Sequence, residues 1–133
     1  MDRPPALDSA LVQEFVIKAH GDLDRIQQLL TEEPRLINAA WDWGGGDWET
    51  GLGGAAHMGR ADIARFLLDH GARLDLFAAA MLGQLELVKA TIAAFPGAHR
   101  IPGPHGISLL RHATAGGPAA AEVAAYLESL PSE

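Results

Sequence analysis

The chain has 133 residues, 48% of them hydrophobic, and its ten basic and seventeen acidic side chains give a formal charge of −7. That length suits a single domain, and the acidic balance argues against a nucleic-acid duplex or a membrane-phosphate partner, which needs a basic stripe. The chain contains no cysteine, which excludes disulfides and thiolate metal sites. With neither a leader pattern nor an apolar run near about twenty residues, a cytoplasmic protein is expected.

Apolar periodicity predicts paired helices along the chain. The first pair spans 10–19 and 22–32 and stops before Pro34, which cannot continue a helix. The loop Trp41-Asp42-Trp43-Gly44-Gly45-Gly46-Asp47-Trp48 follows, with three glycines suited to a turn and all three tryptophans of the chain. A second pair spans 52–58 and 60–70 and ends at Gly71, where a left-handed cap is expected. A third, 76–82 and 84–95, is entered directly through Leu74-Asp75-Leu76-Phe77 and stopped by Pro96. The Pro/Gly-rich stretch from Pro96 to Gly106, which carries His99, Arg100 and His105, reads as a rigid loop before the last pair at 108–115 and 119–130.

The pairs repeat a pattern. Ala55-Ala56-His57-Met58-Gly59 is followed by Ile63, Phe66, Leu67 and Leu68, and Ala79-Ala80-Met81-Leu82-Gly83 by Leu85, Leu87, Val88 and Ile92. With looser copies ending at Gly21 and Gly117, the glycines have a mean spacing of about 32 residues, the unit size of a turn plus two helices. The segment from Trp48 to Gly59 resembles the ankyrin consensus G-x-T-P-L-H-x-A-A-x-x-G, and His70-Gly71-Ala72-Arg73-Leu74-Asp75 resembles its closing H-G-A-D-V-N. Gly51 stands in place of the proline and Gly53 in place of the histidine. The resemblance implies an all-α ankyrin-repeat solenoid of about four helix-pair units in one domain over 1–133, with repeats near 10–40, 47–73, 74–97 and 104–130. The interval from Gly59 to Gly83 is about nine residues short and the one before it about five long, so an enlarged first finger and a missing second finger are expected.

Through the same resemblance, the concave face is the expected binding surface. It would present Trp41, Asp42, Trp43, Asp47, Trp48 and Glu49 on the first finger, and His20, His57, Met58, Met81 and Leu82 along the groove floor. Three tryptophans beside carboxylates favour cationic or aromatic groups. The leading expectation is therefore a non-enzymatic scaffold that binds a protein or peptide with basic or aromatic groups, without nucleic acid, membrane or cofactor. The alternative is a small-molecule or enzymatic pocket under the Trp-rich loop, using His57 or His20 with Asp47 or Glu49. No local ligand pattern such as H-E-x-x-H accompanies the histidines, so they read as groove residues in preference to metal ligands, and no catalytic or metal residue is assigned.

Overall fold

The computed structural model describes residues 2–131. Among them are eight α-helices: α1 (Ser9–Lys18), α2 (Leu23–Glu32), α3 (Gly51–His57), α4 (Ala61–Asp69), α5 (Leu76–Met81), α6 (Leu85–Ala94), α7 (Leu109–Ala115) and α8 (Ala121–Ser129). They lie within two residues of the positions that periodicity predicts. Caps explain the sharp starts of five of them. The side chains of Asp8, Asp22, Thr50, Asp75 and Ser108 each accept a hydrogen bond from a first-turn backbone N–H that the helix itself leaves unpaired.

The expected all-α ankyrin solenoid is not what the chain builds. Between α2 and α3, strands β1 (Ala40–Asp42) and β2 (Trp48–Thr50) pair antiparallel, Trp41 opposite Glu49, as a two-stranded sheet. Helices still dominate, but nothing in this architecture identifies an ankyrin repeat. The physical reason for the sheet is local. Gly44, Gly45 and Gly46 all take positive φ, and Asp42 Oδ1 accepts from the N–H groups of Gly44 and Gly46 at 2.9 and 3.0 Å. That turn closes a hairpin which side chains with a Cβ would strain.

Helices pack in sequence order, α1 on α3, α3 on α5 and α5 on α7, with α2, α4, α6 and α8 behind them. Two apolar clusters result. One joins Phe15, Ile26, Leu29, Leu36, Leu52, Ile63 and Leu67; the other joins Val88, Ile92, Leu109 and Val123. Each fully buried aliphatic side chain contributes about 1.5–3 kcal/mol to this framework. Helix α3 is short and buried almost throughout because it is sandwiched between α1, α4 and α5. No helix among the described residues is long and apolar enough to cross a membrane.

Met81 and Leu82, expected on an open groove floor, are instead buried. Helix α7 packs directly on α5, and Gly116 approaches the Met81 carbonyl so closely that a Cβ would collide with it. The floor that the sequence leaves open is closed by backbone.

Candidate metal centre

Four side chains from four separate segments converge beside the β-ribbon. His20 follows α1, Glu49 is the middle residue of β2, His57 is the last residue of α3, and His105 belongs to the short 3₁₀ turn Pro104–Gly106 before α7. One ligand atom from each lies within 4.8 Å of every other.

The fold makes room for this. His20 lies over α3 at Gly54, where a Cβ would come 2.7 Å from the His20 ring carbon Cε1, so the glycine admits the imidazole. Strand alternation turns Glu49 inward while Trp48 points to solvent. The link between α4 and α5 carries no strand, and the loop before α7 closes onto the ribbon. There Asp47 accepts from the His105 backbone N–H at 2.8 Å and from its ring Nδ1 at 2.6 Å. His105 has φ +61°, a left-handed conformation that is rare outside glycine, and the two Asp47 bonds hold it there.

The geometry suits a cation. His57 Nε2 is 3.0 Å from His20 Nε2 and 2.9 Å from Glu49 Oε2; His20 Nε2 and His105 Nε2 lie 3.3 and 3.4 Å from Glu49 Oε1. Ligand atoms bound at about 2.0–2.1 Å from one ion stand roughly 3.0–3.4 Å apart when they are neighbours at right-angle or tetrahedral positions. Four separations among the three Nε2 atoms and the two carboxylate oxygens are of that size, so a small inward shift within the 4.8 Å cluster would complete such a shell.

The hydrogen bonds behind the ligands point the same way. His20 Nδ1 donates to the Val16 carbonyl at 2.8 Å, and His105 Nδ1 donates to the Asp47 carboxylate. Both rings therefore turn Nε2 toward Glu49, where it offers a lone pair to an ion when the ring is neutral and a proton to the carboxylate when the ring is charged. His57 Nε2 is near Oε2 but off the line of a hydrogen bond, and Oε2 meets no directed donor. His57 Nε2 and His20 Nε2 share a proton across 3.0 Å in the metal-free cluster, and the acceptors that remain around Glu49 call for a cation, either further protons or a metal ion. Three imidazolium ions this close would repel one another, whereas one divalent ion satisfies all four groups at once.

Electrostatics agree. Burial alone would raise the Glu49 carboxyl, but the close His20 and His57 imidazoles, the charge His20 carries when protonated and the Trp43 indole N–H at 2.9 Å outweigh it and hold the group well below the usual carboxylate range. The hydrogen bond to Glu49 raises His20 against the opposing effect of burial. Glu49 is thus anionic although its side chain is wholly shielded from solvent, while His20, His57 and His105 retain 22, 13 and 30% exposure. Such a site is closed beneath and approachable from above.

Of the residues singled out in the sequence, His20, His57 and Glu49 are brought together, and Trp43 covers them edge-on to His20 and His105 at 6.3 and 5.7 Å. Asp47 acts through His105, and Asp42 through the turn. Trp41 packs on the apolar core, and Trp48 and Met58 are exposed at a distance from the ligand atoms. In the sequence His105 reads as part of a rigid loop and is not assigned to the site. No strand lies between α4 and α5, and the loop before α7 meets the β-ribbon through Asp47. No protein-family model, curated protein or solved structure matches this chain.

Proposed function

We propose that this chain binds one divalent transition-metal ion through His20, Glu49, His57 and His105, and that the ion serves small-molecule chemistry at an accessible face. The observation that carries the reading is three imidazole Nε2 atoms gathered on one buried carboxylate, with two of the rings oriented from behind by a carbonyl and a carboxylate. Three nitrogens and one oxygen suit zinc, iron, cobalt or nickel better than the hard cations calcium and magnesium. Partly exposed ligands favour a working centre over a structural one. A bound ion there supplies Lewis acidity, while Glu49 balances its charge and Trp43 fixes Glu49.

The peptide-scaffold reading has less to rest on. Met81 and Leu82 are internal, and Asp42 and Asp47 are engaged within the chain, which leaves Trp43, Trp48 and Met58 as exposed contacts.

Calorimetric titration with Zn²⁺, Co²⁺ and Ni²⁺, together with metal analysis after dialysis, tests the metal reading. One ion per chain is the expected result. Failure of all three to bind stoichiometrically would overturn it and leave the cluster as a proton-sharing network.

A further inference from the structure

A second feature adjoins the centre. A cleft of about 490 Å³ opens against His57 and is walled by Met58, Ile107, Leu110, Arg111 and Thr114. Its volume is in the range of small-ligand pockets. Its chemistry is one-sided: the chain as a whole is strongly acidic, yet no carboxylate lines this cleft.

Arg111 is its only permanent charge. Like Arg65, Arg73 and Arg100, Arg111 meets no carboxylate among the described residues, and of these it alone lines the cleft. Thr114 donates its hydroxyl hydrogen to the Leu110 carbonyl at 2.9 Å, so the guanidinium is the strong donor left to a ligand. The apolar side chains of Met58, Ile107 and Leu110 share the lining with it. A divalent ion bound behind the His57 ring would offset the charges of Glu49 and Asp47 and so remove the nearest negative charge that opposes an anion.

We propose that this cleft binds a small organic anion, a short aliphatic carboxylate, with its carboxylate on Arg111 and its hydrocarbon body against Met58, Ile107 and Leu110. The inference rests on the metal reading for the added positive charge, while Arg111 and the apolar wall belong to the cleft alone. The ligand lies against the outer side of His57, whose Nε2 faces the centre.

The probe is hexanoate, titrated into the full chain while the methyl resonances of Met58, Ile107 and Leu110 are followed by NMR, with metal content measured on the same sample. Saturable shifts at these methyls are expected. Hexylamine, equal in length but cationic, is expected to produce none, and Arg111→Gln to weaken hexanoate at least tenfold with an unchanged unfolding midpoint, since Arg111 is exposed. Unmoved methyls, equal binding of hexylamine, or undiminished binding by the variant would each overturn the cleft proposal. Metal analysis reports the centre separately. A loaded chain that ignores hexanoate refutes the cleft and spares the centre; a chain that takes no ion refutes the centre, and the same methyl shifts still decide the cleft.

Discussion

His57 and His112 stand on neighbouring helices with their rings edge-on, 6.5 Å apart, and they live in opposite surroundings. His57 reaches the Glu49 carboxylate together with two other imidazoles. His112 is wholly buried against Phe77, donates Nδ1 to the Ser108 carbonyl at 2.7 Å, and leaves Nε2 without a partner. Burial pushes His112 down toward the neutral form, while contact with Glu49 raises His20 on the other side of the cluster. One side-chain type thus acts as a core residue or as a ligand. The difference is whether a strand delivers a carboxylate to it.

The most severe way to break that contrast is Glu49→Gln. It removes the anion around which the histidines gather, and metal affinity is expected to fall by more than about 100-fold, beyond the usual loss for a residue one step removed from the ion. Calorimetry measures it, and retention of wild-type affinity would refute the assignment of Glu49. Asp47→Asn is milder. It keeps the shape but weakens the grip on His105, so a loss of about 10–100-fold is expected by the same titration.

Acidity sharpens the contrast further. In the metal-free protein His20 is raised above its ordinary value of 6.5, so its contribution to stability is complete below that pH and is lost as pH climbs through the folded value. Glu49 is lowered from 4.5, so its contribution is present above that pH and is lost only as pH falls through its depressed folded value. Metal-free stability from this pair should therefore be greatest between about pH 4.5 and 6.5. Added metal should act in the opposite sense above it, because ligands must be deprotonated and bound ion stabilises the folded chain. Melting curves with and without Zn²⁺ at pH 5.5 and 8 check this. A larger metal-induced rise at pH 5.5 would contradict it.

The smallest effect is expected at His112→Leu. Loss of the bond to Ser108 is offset by removal of a buried nitrogen without a partner, and stability should stay within about 1 kcal/mol with metal binding intact. Denaturant unfolding and the same titration measure both. A large loss of affinity would make His112 part of the centre and erase the contrast.

Much of the framework was legible in the sequence. Leucine periodicity, Pro34, Pro96 and Gly71 marked the helices, because those signals act within one or two turns of chain. The hairpin was half legible: its glycines indicated a turn, but pairing of Trp41 with Glu49 depends on a ladder that no local signal specifies, and the expectation of an all-α class failed there. The repeat register placed His20 near His57 and offered Glu49 as a third group without choosing it over Asp42 or Asp47.

By itself, the sequence determined eight helices, an aromatic and acidic loop between the second and third, and two histidines near the ends of the first and third. These follow from spacing along one chain. Only the tertiary structure decided that β2 would bury Glu49, that Gly54 would admit His20, and that His105 would arrive from 56 residues downstream to lie over the same carboxylate. Whether an imidazole faces a charge or a methyl group depends on which segments are packed against it, and that contact is made through space, beyond the reach of local pattern.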